Sequence, residues 1–511
     1  MKEIFKLAIR NLKEHKSKTI IISLFLIFGV AIVILGNSFL ESVNRGLEKD
    51  FRANYTGDIA ISIKPEKGDR IEIFGVESSN MTGTIPQIPA IPDLEKVQKI
   101  VDETEGVKSQ TKLISAMVIV AKGLEIDIDE ILDRDDLGFD DMPVSMLFAG
   151  EDETYWKTFS GINFVEGTYP APYTNEVMVD TRVKRAFESL YKAELNIGDT
   201  ILIAGANTKG IIREGKISGI FKPSNENSAM FQIIYCNPGL ARSFADLTYG
   251  SSFSQELPEN VNLNLSSMSE DELFGDSDDD FFGDIDEDDT FLGSAADFDS
   301  ILGDTTLRDE LNKTDDGAWH YILLKLNHPS QTEKTIKTLK KQCEEQDLNV
   351  QIQDWKNAAG SYAYTVEGIG IVFNMLIIIL AVVVFIIIMN TMTVSVIERT
   401  GEIGTMRAIG AEKSFVRKLF FTESLFLTLV SSVIGIILAF IIMKIFNSLN
   451  ITITNSIAKM ILGGGLLQFR PTVKIIGMTV LIALAGSIIS NLYPVSSALK
   501  ITPLKALNKE V

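Results

Sequence analysis

The sequence predicts a membrane protein with four transmembrane α-helices and an α+β extracytoplasmic domain, in a chain of 511 residues. Three observations predict it. Four apolar runs are each long enough to carry a helix across the hydrocarbon, which takes about 20 residues. Lys and Arg gather at the same ends of those runs. Between the first and second runs lies a long stretch in which strand-like and helix-like segments mix.

The N-terminal segment 1–18 reads as a cytoplasmic amphipathic helix, with Ile4, Phe5, Leu7, Ala8, Ile9 and Leu12 on one side and cations around them. The spans are expected at 19–40, 368–396, 419–446 and 475–493. None alternates apolar and polar residues as a barrel strand does, and lipid offers no partner for an open backbone, so all four are read as helices. A secretory signal is the alternative for the first. That run is longer than a signal core, and no small-x-small cleavage site follows it.

Orientation follows from the cations that flank the spans. Lys2, Lys6, Arg10, Lys13, Lys16 and Lys18 precede the first; Arg399, Arg407, Lys413, Arg417 and Lys418 separate the second from the third; Lys500, Lys505 and Lys509 follow the fourth. These groups belong in the cytoplasm, with both termini. The domain at 41–367 and the loop at 447–474 then lie outside, with 397–418 and the tail 494–511 inside, as expected of a multi-pass protein of the cell inner membrane.

Within the exported domain the chain stays helical to about Tyr55, and Asp58–Lys64 then alternates as a half-buried strand. A Pro-rich loop at Ile85–Pro92 precedes a helix from Asp93 to Glu105. Strands are expected at Leu113–Ala121, Glu176–Asp180, Thr200–Ala204, Gly210–Phe221, Met230–Cys236, Trp319–Leu326 and Asn349–Gln353, with helices at Arg182–Tyr191 and Thr332–Gln346. No regular βαβ repeat emerges, which favours α+β. Cys236 and Cys343 both fall here; a disulfide and two buried thiols stay open as alternatives. Much of the net charge of −20 comes from one acidic tract, Glu270 to Asp299, so about 250–306 reads as a disordered insertion. A basic nucleic-acid footprint is absent.

Two near-matches to ligand motifs are set aside. Gly210, Gly215 and Lys216 have phosphate-loop spacing, but Ile217 replaces the metal-binding hydroxyl and a strand follows where a helix is needed. Asp276, Asp278, Asp280 and Glu287 have calcium-loop spacing, but Phe281 stands where glycine makes the turn. His15, His320 and His328 form no ligand or triad spacing. No catalytic residue, cofactor site or metal site is assigned in this chain.

The strongest local signal runs from Met389 to Ala411: a helix leaving the membrane, a short polar helix and a glycine stop, all held between two spans. An ordinary connecting loop with pairs among Glu398, Arg399 and Glu402 is the plain alternative. Glycines 368, 370, 435, 477 and 486, with Ser431, Ser432, Ala483, Ala485 and Ser487, offer small surfaces for helix packing, within one subunit or between two.

These residues resemble a family, the permease subunits of the MacB/LolC/FtsX type. Glu398 to Ala411 is similar to its E-R-x-x-E-I-G-x-x-R-A-I-G-A signature, and Pro494, Ala498, Pro503, Ala506 and Leu507 to its C-terminal pattern, with Val495 in place of the usual Ala. Arg10-Asn11-Leu12 resembles its start. Glu176–Asp180 followed by Leu195–Thr200 resembles part of its exported domain; the stretches 126–142 and 248–306 have no counterpart. The resemblance implies a non-catalytic subunit that works with an ABC ATPase dimer, which binds ATP-Mg, and with a second permease subunit in membrane lipid. It implies that 397–411 is the ATPase-coupling element. Ile403 and Met406 would insert against the ATPase, Glu398, Arg399 and Arg407 would fix the register, Glu402 would belong to the same coupling set, and Gly410 would end the helix. The favoured branch is LolC/LolE-like, on the Gln353-Asp354-Trp355 segment and the long exported domain, with a lipoprotein as substrate or a carrier as partner. MacB-like export of peptides or toxic small molecules with a periplasmic adaptor, and FtsX-like regulation of a cell-wall hydrolase, are the alternatives.

Overall fold

In the computed structural model the described residues are 2–14, 16–78, 87–122, 143–159, 161–206, 211–223, 232–249, 313–451 and 468–499. The acidic insertion, the calcium-like spacing, the 126–142 stretch, Gly210, Pro503, Ala506 and Leu507 lie outside them.

Helix α1 (Lys2–Glu14) leads into α2 (Lys16–Asn54), the first of four helices among the described residues that are long and apolar enough to cross a membrane; the others are α9 (Ser361–Glu398), α11 (Lys413–Leu449) and α12 (Val473–Ala498). Helix α2 is the hub and touches the other three. Ile22 and Leu26 pack with Ile388, Met392 and Leu427, while Val30, Ala31 and Ile34 pack with Ala439 and Met443.

Not all the small residues serve this packing. A Cβ on Gly435 would stand 2.8 Å from the Ile27 carbonyl oxygen, so that glycine is what lets α11 close on α2, and Ser431, Ser432 and Ser487 are buried too. Gly368, Gly370, Gly477 and Gly486 face open space within the subunit. Gly36, which the sequence reading passed over, sits under the Phe373 ring.

Helices α2 and α9 continue beyond the apolar runs into the exported domain. There β1 (Ile59–Ile63), β4 (Val107–Ala121), β5 (Val144–Gly150), β6 (Asn163–Gly167), β7 (Glu176–Asp180), β8 (Thr200–Gly205), β9 (Ile212–Lys222), β10 (Gln232–Cys236), β11 (Tyr321–Leu326) and β12 (Val350–Asp354) form one mixed sheet. Its order is β12-β1-β11-β4-β5-β10-β7-β9-β6, with β8 joining β4 to β9. Among the described residues, only the β5–β10 and β7–β9 pairs are parallel.

Period-two alternation sorts the two faces. Ile59, Ile61, Ile322 and Leu324 pack under α3 (Leu94–Asp102) and α7 (Thr332–Glu345). Ala60, Tyr321 and Leu323 turn the other way, to an aromatic cluster in which Phe51 of α2 and Tyr362 of α9 lie 5.8 Å apart. Both spanning helices therefore end inside the domain core.

Other described elements of the exported domain include the hairpin β2 (Asp69–Glu72) and β3 (Gly75–Ser78), α4 (Asp152–Thr158), α5 (Thr181–Tyr191), α6 (Pro238–Phe244) and α8 (Trp355–Ala359). The hairpin, β5, α4, β6 and α6 are absent from the sequence reading: each is short and takes its order from neighbours more than from its own periodicity. Strand β4 starts at Val107, earlier than expected, because Val107 to Thr111 pair with β11. Helix α12 runs past residue 493 and carries Pro494 inside it. Cys236 and Cys343 are both buried, free and in separate clusters, which settles the open alternative against a bridge.

Candidate coupling site

Helix α9 ends at Glu398, Arg399 forms the joint, and α10 (Thr400–Ala408) follows. The Gly410 N–H bonds to the Arg407 carbonyl at 3.1 Å and the Ala411 N–H to that of Met406 at 3.0 Å, with Gly410 at φ +102°. This is a Schellman ending, and it places the only residue type without a Cβ where the chain turns left-handed. Helix α11 restarts at Lys413, so α10 is a short, closed-off element between two spans.

Arg399 fastens it. The side chain is 4 % exposed; Nη1 donates to Glu423 Oε2 at 2.9 Å and Nη2 to Glu423 Oε1 at 3.3 Å, with the guanidinium 4.9 Å above the Phe420 ring. Nε donates to Glu402 Oε2 at 3.2 Å. The Asn11 amide donates to Glu423 Oε1 at 2.6 Å and brings in α1. One buried carboxylate on α11 thus holds the α9–α10 joint and the N-terminal helix together. Bidentate charge-assisted bonds fix orientation as well as distance.

In the structure Ile403 is turned inward. It packs with Val396, Val416, Phe420, Val495 and Leu499, and Met406 lies half-buried against the same group. The reason is the helical period: Ile403 shares the Arg399 and Thr400 side of the helix, and that side faces α11 and α12. Arg407 Nη1 reaches the Leu499 carbonyl at 3.5 Å. Glu398, Gly401, Glu402, Thr405 and Ala408 are exposed, and Ile409 at the tip is 82 % exposed. Sequence reasoning missed Glu423 and Ile409. The signal for the first was a lone carboxylate inside an apolar run; for the second, an Ile immediately before the glycine stop.

At the other end, the spans are gripped by the sheet. Asp58 accepts from Arg52 at 2.6 Å and from the Leu326 N–H at 2.6 Å, and Lys325 Nζ donates to the Ala53 carbonyl at the end of α2 at 3.0 Å. Burial pushes the Lys325 ammonium below its usual range. Glu72 accepts from the Ser361 N–H at 2.8 Å and Oγ at 2.9 Å, capping α9, while Tyr321 Oη donates to the Glu72 carbonyl at 2.5 Å. Strand β11 therefore ties down both helices.

Beside Tyr321, burial pushes the His320 imidazole from 6.5 down to about 3. Between those values the unfolded chain binds a proton that the folded one refuses, so His320 removes stability as pH falls from 6.5 toward 3. A pH series of thermal midpoints should show a shallower acid slope for His320→Gln than for the unaltered chain. Equal slopes would mean that the imidazole is not held neutral.

Two family models match the chain: the MacB-like periplasmic core domain over residues 19–272 and the FtsX-like permease C-terminal region over residues 374–503. The chain belongs to the MacB/FtsX-like ABC permeases. Arg399, α10 and Glu423 all fall within the FtsX-like match. Both models describe permease parts, and no ATPase domain is found in this chain.

Among its relatives is the ABC transporter permease YtrF of Bacillus subtilis, 51 % identical over 53 residues, 10 % of this chain and 12 % of that protein. The uncharacterized ABC transporter permease MJ1507 of Methanocaldococcus jannaschii is 26 % identical over 230 residues, 43 % of this chain and 53 % of that protein. The macrolide export ATP-binding/permease protein MacB of Escherichia coli is 35 % identical over 89 residues, 17 % of this chain and 14 % of that protein. The chain thus spans about half or less of the length of these relatives. As a MacB/FtsX-like permease it is a multi-pass membrane protein with a large extracytoplasmic domain.

Proposed function

We propose that this permease converts the motion of a separate ABC ATPase dimer, loaded with ATP-Mg, into movement of its exported domain, and works beside a second permease subunit. The observation that carries this reading is the build of α10: an exposed outer surface tipped by Ile409, backed by the buried Arg399–Glu423 pair. A helix that is to receive force needs a free face and a rigid attachment, and α10 has both. Ile409 takes the partner-facing role that the sequence reading gave to Ile403, while Glu402 and Arg407 flank it.

Ile409→Asp should abolish co-purification of the ATPase while leaving the thermal midpoint unchanged, because an 82 % exposed side chain carries little of the fold. Charge reversal at both Glu402 and Arg407 should weaken the complex in the same way. Undiminished co-purification of the Ile409 variant would remove the assignment.

The proposed cargo is a small molecule or peptide, with lipoprotein release as the second reading. Lipoprotein release drew on Gln353-Asp354-Trp355, but Asp354 caps α8 and Trp355 lies 6.4 Å from Phe51 in the core, a structural duty that marks no branch. The match to a MacB-like periplasmic core and the export proteins among the relatives favour export of a small molecule or peptide. Crosslinking the exported domain in cells and identifying its adducts separates the two: acylated proteins would support lipoprotein release, and an adaptor with no acylated protein would support export.

A further inference from the structure

The exported domain holds a cavity of about 240 Å³ to which the permease reading gives no task. It lies between the β2–β3 hairpin, strands β4 and β5 and the first residues of α9, and its walls are mostly apolar, with Phe74, Met117, Met146 and Tyr362 among them. His320 lines it at 1 % exposure. Its Nδ1 accepts the Ser115 backbone N–H at 3.3 Å, so the single ring proton of the neutral imidazole sits on Nε2. Among the described residues that N–H has no hydrogen-bond partner. A buried donor left unmade is costly, and few are tolerated without a purpose.

Charge narrows the occupant. Glu72 and Glu77 also line the cavity, so an anion would enter against two carboxylates. Size narrows it further, since a space of this kind takes roughly ten to fifteen non-hydrogen atoms. We propose that the cavity is a binding site for a small, uncharged, apolar molecule that presents one hydrogen-bond acceptor to His320 Nε2–H. Ser361 and Tyr362, also in the lining, open α9, so the occupant sits where the domain holds its second spanning helix. The ligand need not be the cargo, and the site stands whether or not the coupling role of α10 holds.

Methionine methyl groups read the site directly. With the full chain in detergent and ¹³C-methyl methionine labelling, acetophenone should shift the Met117 and Met146 resonances saturably. Ethylbenzene, which has nearly the same shape and no acceptor, should bind about tenfold more weakly, as one lost hydrogen bond implies. Benzoate, which adds a negative charge, should also bind more weakly. His320→Phe should erase the preference for the ketone, and His320→Gln, which keeps an N–H donor, should retain it. If His320→Phe does not fold, Met117→Trp fills the cavity and should abolish the Met146 shift. Shifts confined to the exposed methionines Met375 and Met478 of the spans would overturn the proposal, as would equal affinity for ketone and hydrocarbon in the unaltered chain.

Discussion

Glu423→Ala should lower the stability of the membrane bundle by about 3–5 kcal/mol, the usual cost of stranding one member of a buried ion pair. The stranded group is Arg399, at 4 % exposure, with only the exposed Glu402 carboxylate left to answer it; the Asn11 amide loses its acceptor as well. Replacing both charges, with Arg399→Met and Glu423→Leu, should recover most of the loss, because an apolar pair of similar volume incurs no desolvation penalty. Denaturation midpoints in a detergent series measure both. A single variant that unfolds no earlier than the unaltered chain would show that water reaches the pair. The double variant carries a second expectation. It should fold yet bind the ATPase weakly, because α10 would be packed without being held in register.

Gly435→Leu should destabilise by about 1–3 kcal/mol through overpacking, whereas Gly477→Leu should stay within about 0.5 kcal/mol. The two glycines sit in spans of similar character and differ in what lies opposite. A Cβ at Gly435 meets the Ile27 carbonyl oxygen at 2.8 Å and Val30 Cβ at 3.1 Å, and a backbone oxygen inside a helix has nowhere to go. At Gly477 nothing lies within 4 Å. Thermal midpoints of the two variants in one detergent give the comparison, and equal values would remove the close α2–α11 crossing.

The spans and the α10 element were legible because their constraints are local. Lipid imposes length and hydrophobicity on each crossing, and the run from Glu398 to Ala411 carries its own start, charge pairs and glycine stop. Partners distant in sequence were not legible. Glu423 reads as a lone carboxylate in an apolar run, with no partner named, until α10 and α11 fold back and bring Arg399 against it. Ile403 reads as an exposed apolar contact until α11 and α12 cover that side. Glycine spacing names small residues without saying which face meets a neighbour, so Gly435 and Gly477 look alike on paper. Strands β5 and β6 depend on sheet neighbours for their order, and the sheet itself joins Ile59 to Leu324 across most of the exported domain.

Helix α2 contains no proline along its 39 residues, and Lys325 seals its far end to β11. Such a rod spans about 58 Å at 1.5 Å per residue, so a tilt of about 5° imposed at its cytoplasmic foot sweeps its outer tip by about 5 Å. Angular gain of this kind needs no pore and no unwinding of the chain. A small rotation at the inner surface would arrive outside as a displacement the width of a lipid chain.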